Sequence, residues 1–119
     1  MWTARATAAG AERYLKFFAG TLVPALQAIE GHSGAQVFSR PDAGEVEITV
    51  LTFWESMGAV RRFAGEAPDR AVVEPEARAV LLSYDEAVRH LELEIDTRAT
   101  HVATTAVTAS IAKQPSAPT

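Results

Sequence analysis

One stretch, residues 46–54, constrains the fold of this chain more than any other. It is rich in β-branched and aromatic residues, which favour strands, and turn residues at 41–44 precede it. Its apolar residues fall on both faces: Val46, Ile48, Val50 and Trp54 on one, and Leu51 and Phe53 on the other. The helices of one small domain cover only one face of an antiparallel sheet. We therefore predict that a second copy of the chain covers the other face.

The residues before this strand predict a strand, a helix and a further strand. Residues 1–7 carry no helix-start chemistry and predict the first strand, and residues 35–40 predict the second. Between them, apolar side chains recur at three- and four-residue spacing, which is typical of an amphipathic helix. The ring of Pro24 would clash with the carbonyl of Gly20, so this helix should kink or pause there. Gly31 then supplies a left-handed C-terminal stop.

The residues after the central strand predict two short helices and a last strand. Ser56 is a good N-cap for a helix over residues 57–64, which Gly65 closes. Pro75 suits the first position of another helix. Residues 87–96 alternate between apolar and polar side chains and predict the last strand. The element order is then β-α-β-β-α-β, typical of one α+β domain.

Composition narrows the classes of function. The chain has 119 residues, enough for one core, and a net charge of −4, which argues against nucleic acid as a partner. The absence of cysteine excludes disulfides, thiolate nucleophiles and thiolate metal sites. His32 and His101 are not spaced with carboxylates as a metal site requires, so we expect no metal. No apolar run approaches the roughly 20 residues that span a bilayer, so we expect no membrane partner and a cytoplasmic protein.

Four parts of the sequence resemble the antibiotic biosynthesis monooxygenase family. They are the corner Ile29-Glu30-Gly31-His32-Ser33-Gly34-Ala35, the run Val50-Leu51-Thr52-Phe53-Trp54-Glu55-Ser56, the pair Phe63-Ala64-Gly65-Glu66 and Ala71-Val72-Val73, and Val88-Arg89-His90-Leu91-Glu92-Leu93. The resemblance covers residues 1–97. Residues 98–119, rich in alanine and threonine, are then a C-terminal tail that is either flexible or an arm contacting the dimer partner.

This resemblance implies a ferredoxin-like fold with a four-stranded antiparallel sheet, two copies of which form a dimeric α+β barrel. It implies a homodimeric oxidoreductase that oxygenates an aromatic or polyketide-type molecule without metal, flavin or haem. Two alternatives use the same pocket: a non-catalytic protein that binds a small hydrophobic molecule, and a non-oxidative cyclase or isomerase. Because many activities share one fold, the fold alone does not choose among them.

The candidate site residues follow from the side chains such chemistry needs. His90, in the predicted last strand, could take a proton from a phenol near neutral pH, although it alternates in phase with two glutamates and could equally be a polar edge residue. Arg5, in the first strand, could hold the resulting anion. The predicted substrate-binding residues are aromatic and could equally be core: Tyr14, Phe17, Trp54 and Phe63.

One departure from the family pattern limits what the resemblance implies. The haem-degrading branch relies on an asparagine, a tryptophan and a histidine, and the cofactor-free oxygenases also use an asparagine. This chain contains no asparagine, and residues 57–82 contain neither tryptophan nor histidine. Haem degradation by that chemistry is therefore not expected, and the transfer of the oxygenase mechanism is weakened.

Overall fold

An antiparallel sheet with helices against one of its faces forms the frame of the protein, which we describe from a computed structural model. The structure describes residues 1–65, 71, 73–98 and 107–108. Its strands are β1 (Trp2–Ala6), β2 (His32–Asp42), β3 (Glu45–Trp54), β4 (Ser83–Tyr84), β5 (Leu91–Glu92) and β6 (Val107–Thr108). Its helices are α1 (Ala8–Phe17), α2 (Val23–Gln27), α3 (Met57–Ala64) and α4 (Pro75–Arg78), with a π-helical segment, Phe18–Leu22, between α1 and α2. Among the described helices, none has the length and apolar character needed to cross a bilayer.

The centre of the sheet is β3, which pairs with β2 on one side and with β1 on the other, both antiparallel. The second edge of β1 carries β4, which gives the order β4-β1-β3-β2. The Phe53–Trp54 end of β3 also pairs with β6, which in turn pairs with β5. The expected α+β fold with a four-stranded antiparallel sheet is thus confirmed. Of the predicted tail, Arg98, Val107 and Thr108 lie within the described residues.

The hairpin between β2 and β3 is tighter than the predicted turn at residues 41–44. Its two loop residues, Ala43 and Gly44, have φ values of 53° and 79°. Positive φ at both positions matches the right-handed twist of the flanking strands. Pro41 and Asp42 lie in β2 instead, opposite Val46 and Glu45. In the described sheet β2 pairs only with β3, and a proline is tolerated on such an edge.

The first helix changes its winding where Pro24 predicts a pause. The backbone N–H of Val23 donates to the carbonyl of Phe18, five residues back, which is the π-helical pattern. Proline contributes no N–H at the next position, and α1 and α2 therefore meet through a wider turn. The predicted caps are also confirmed further along, because Ser56 Oγ accepts from the N–H of Ala59 at 3.2 Å and Pro75 begins α4.

The last strand predicted at residues 87–96 is present only at Leu91–Glu92, the short strand β5. The segment beside β1 lies earlier in the sequence, at residues 82–89. The N–H groups of Leu82, Asp85 and Arg89 donate to carbonyls of β1 and Met1. Residues 91 and 92 pair with β6 instead. The alternation that motivated the prediction does not mark a buried face, since Leu91 is 44% and Ile95 81% exposed.

The two faces of β3 have different surroundings. Ile48, Val50, Thr52 and Trp54 are fully buried in the core with the helices, whereas Glu47, Thr49, Leu51 and Phe53 are half-buried on the opposite face. We call this second side the open face of the sheet. On β2 it includes Phe38, which lies opposite Thr49 and is 51% exposed.

Candidate functional site

A cavity of about 310 Å³ lies between the helical stretch of residues 18–27 and the start of β2. Its walls include Phe18, Val23 and Leu26 from the helices and His32, Ser33 and Ala35 from β2. The volume is at the lower end of the range of ligand pockets, roughly 300–1,000 Å³. The wall combines these apolar side chains with polar groups of Gln27, His32 and Ser33, and small-molecule sites likewise combine apolar walls with placed polar groups.

Two backbone irregularities border this cavity. On the helical side the π-helical segment supplies Phe18. On the sheet side the register of β2 against β3 shifts between His32 and Gly34. Gly34 has a φ of 152°, a backbone conformation that a residue with a side chain adopts only with strain. Both π-helical turns and β-bulges occur preferentially at functional sites, where they re-aim side chains. Here they leave an opening between helix and strand.

His32 is the ionisable side chain in the cavity wall. Its ring lies edge-on to Trp54, with 4.9 Å between the ring centroids and an angle of 70° between the planes. Its Nδ1 atom is buried and has no hydrogen-bond partner among the described residues. Burial lowers the pKa of the imidazole below its ordinary value of 6.5. His32 is therefore neutral at pH 7.

A neutral imidazole beside apolar side chains can orient a ligand through one hydrogen bond. It can donate from one ring nitrogen or accept at the other, depending on where its proton resides. Gln27 and Ser33 add further polar groups to the same walls. This combination can hold a compact apolar molecule and fix the position of one of its oxygen atoms.

The aromatic residues predicted to bind substrate lie in the core next to this cavity. Tyr14, Trp54 and Phe63 are almost completely buried, and Phe17 is half-buried. Trp54 stacks on Phe63 at 5.4 Å and donates from Nε1 to Thr52 Oγ1 at 2.9 Å. Burial raises the pKa of the Tyr14 hydroxyl, which favours its neutral form. These rings support the wall, because Trp54 packs against His32 and Tyr14 against Phe18.

Arg5 lies on the open face of the sheet, away from the cavity. Its Nε donates to Glu45 at 2.7 Å, and its Nη1 donates to the carboxylate of Asp42 at 3.0 Å. Its Nη2 donates to the carbonyl of Asp42, and Glu47 lies 3.9 Å from Nη1. The bonds to the two carboxylates raise the pKa of Arg5. The guanidinium is thus engaged by carboxylates of its own chain.

His90 is half-buried and immediately precedes β5. The adjacent Arg89 bonds to Met1 at one end of β1, whereas Arg5 pairs with Ser83 towards the other end. The predicted base and the predicted anion holder are therefore not brought together. Neither residue is in the walls of the His32 cavity.

Sequence reasoning missed His32 because it considered this residue only as a metal ligand in a loop. The glycines at positions 31 and 34 were the available signal, since paired glycines around a polar residue indicate an irregular backbone. The two glycines do not indicate that residues 18–27 form the other wall of the cavity. Within residues 1–65, 71 and 73–98, no group of three or more His, Cys, Asp or Glu side chains could hold a metal ion.

Comparisons of this chain with protein-family models, with curated proteins and with solved structures gave no match. The resemblance of residues 1–97 to the monooxygenase family therefore stays a prediction from sequence.

Proposed function

We propose that this protein binds a compact aromatic molecule in the cavity beside His32. The observation that carries the proposal is a neutral, partly buried histidine in a cavity wall, beside the apolar side chains of Phe18, Val23 and Leu26. A polar group in such a place loses water, and that loss is tolerated when a ligand or ordered water replaces the lost hydrogen bond. An apolar molecule with one polar atom replaces it while also covering Phe18, Val23 and Leu26.

The size of the cavity limits the ligand. A volume of about 310 Å³ suits a molecule of one or two rings better than an extended polyketide. Within the substrate class expected from the sequence, the structure thus favours the small aromatic members. The absence of charged side chains from the described walls favours a neutral molecule.

Oxygenation of the bound molecule is the second candidate function, as the family resemblance implies. In that reaction an activated CH₂ group and O₂ give a C=O group and water, so no external reductant is required. The observation that favours chemistry at this site is the position of His32 in the cavity wall, where it could polarise an oxygen atom of the substrate. Oxygen uptake with bound substrate separates this candidate from non-catalytic binding and from a cyclase or isomerase.

The strand order β4-β1-β3-β2 supports the ferredoxin-like fold that the sequence predicts. We propose further that two copies meet through their open faces as a dimeric α+β barrel. The apolar side chains of Leu51, Phe53 and Phe38 on that face support this arrangement. The cytoplasmic location stays a prediction.

A cavity-filling variant tests the binding proposal. Ala35 lies in the cavity wall, and Ala35→Phe should abolish saturable binding of 1-tetralone, a two-ring aromatic ketone. Ser39→Phe is the matched control, because Ser39 lies on the same strand and the same face, is exposed and is not in the wall. Isothermal titration calorimetry measures both affinities. If wild-type protein shows no saturable binding at millimolar ketone, or if Ala35→Phe binds as well as wild type, the proposal is wrong.

A further inference from the structure

We propose that His32 acts as a hydrogen-bond donor through Nε2 in its neutral form, and that its ligand places a ketone or quinone oxygen there. The inference rests on the proposed binding function and names the chemistry of the ligand. It differs from the histidine role expected from the sequence, which is that of a base.

The position of the proton follows from the surroundings of the two ring nitrogens. Nδ1 is buried and meets no acceptor among the described residues. A proton on Nδ1 would leave a buried N–H donor unsatisfied, and orphaned buried N–H groups are rare in proteins. A proton on Nε2 leaves only a bare lone pair buried. Nε2 is therefore the nitrogen that can offer its proton to a ligand in the cavity.

The same geometry disfavours the charged form. An imidazolium carries a proton on both nitrogens, so Nδ1–H would again be buried without an acceptor. The lowered pKa of His32 has burial as its cause. The charged neighbours of His32 do not offset this lowering of its pKa. Glu30 and Arg62 are exposed, and Arg62 donates to the carbonyl of Glu30. Glu55 is also exposed, and it approaches through its backbone N–H, which donates to the carbonyl of Gly31.

A donor that stays neutral selects a particular kind of ligand atom. It requires an acceptor, and because it carries no charge it does not compensate a full negative charge that has lost water. The described walls contain no arginine or lysine that could do so. A carbonyl oxygen satisfies both conditions, whereas a carboxylate does not. Neutral histidine is known to polarise substrate carbonyls in this way in enzymes.

A matched pair of ligands tests the donor role. 1-Tetralone and tetralin share one skeleton and differ in the carbonyl oxygen. One net neutral hydrogen bond corresponds to about a fivefold change in affinity. We expect the preference for tetralone over tetralin to fall by about fivefold in His32→Phe relative to wild type. His32→Gln should keep the preference, because its amide NH₂ can donate from a similar position.

Nitrogen-15 NMR of histidine-labelled protein without ligand gives an independent readout. The expected spectrum shows His32 protonated on Nε2 and bare on Nδ1 at pH 7, with its signal assigned by its loss in His32→Gln. A spectrum with the proton on Nδ1, or an unchanged ligand preference in His32→Phe, overturns the donor role. If neither ligand binds wild-type protein, it is the binding function that fails, and the NMR result still decides the state of His32.

Discussion

His32 and Arg5 show how much the surroundings of a side chain decide its chemical role. Arg5 has the charge to hold an anion, yet Asp42 and Glu45 of the same chain already occupy its guanidinium. His32 lies in a cavity wall, and its Nδ1 atom has no hydrogen-bond partner among the described residues. The less conspicuous residue in the sequence is therefore the better candidate for ligand contact.

The protonation of His32 should affect stability in a defined direction. Because burial lowers its pKa in the folded protein, the unfolded chain binds its proton more readily. The stability due to neutral His32 is then fully present above the unfolded pKa of about 6.5. It declines as the pH falls through that value towards the folded pKa.

Urea denaturation between pH 7.5 and 5 measures this effect. Wild-type protein should lose more unfolding free energy over this range than His32→Gln, which does not titrate there. Equal losses in the two proteins would mean that the folded pKa of His32 is not lowered.

At the scale of the elements, the π-helical segment keeps one row of side chains on the core. The buried residues Tyr14, Phe18, Leu22 and Leu26 are spaced by four. In a regular α-helix each step of four residues overshoots by about 40°, so three steps would turn Leu26 about 120° away from Tyr14. A wider turn between Phe18 and Leu22 reduces that drift. The spacing and Pro24 thus favour the same irregularity.

Inserting one alanine after Gly20 should destabilise the protein strongly. The wide turn already keeps this row of side chains on the core, so one further residue rotates α2 by about 100° and turns Leu22 and Leu26 off the core. Losing the burial of one such leucine typically costs about 2–5 kcal/mol. Gly20→Ala is the control, since a Cβ at this position meets no atom within 4 Å and alanine should stabilise by up to about 1 kcal/mol. Thermal denaturation compares the two, and an insertion variant as stable as wild type would contradict this explanation.

For the whole molecule, the dimer that we propose depends on the open face of the sheet. Leu51 and Phe53 are half-buried there and Phe38 is 51% exposed. The Arg98 guanidinium reaches this face beside the Gln36 amide, at 2.6 Å, so residues at the end of the described segment cover part of it. Apolar surface remains for a second copy.

Sedimentation at micromolar concentration should therefore find a dimer of the 12.8 kDa chain. Phe38→Glu should shift it to monomer without unfolding it, because the phenyl ring is already half exposed and a carboxylate in the interface lacks a partner. Leu15→Glu, on the exposed side of α1, should leave the dimer intact. A wild-type monomer would exclude the face-to-face arrangement.

The sequence by itself determined the features that depend on neighbouring residues. Local propensities, capping and sterics account for the positions of β1 and β3, the cap at Ser56, the start of α4 at Pro75 and the interruption before Pro24. A turn was predicted within residues 41–44, but the residue types did not show that its two loop residues are Ala43 and Gly44.

Only the tertiary structure decided the edge of the sheet and the candidate site. Residues 82–89, and not the more regularly alternating 91–95, run beside β1, because pairing depends on where the chain returns in space. The cavity joins residues 18–27 to residues 32–35 across a turn, and its histidine is chemically distinct because Nδ1 is buried there. Burial and long-range pairing are properties of the packed molecule, so a pattern of adjacent residues does not contain them.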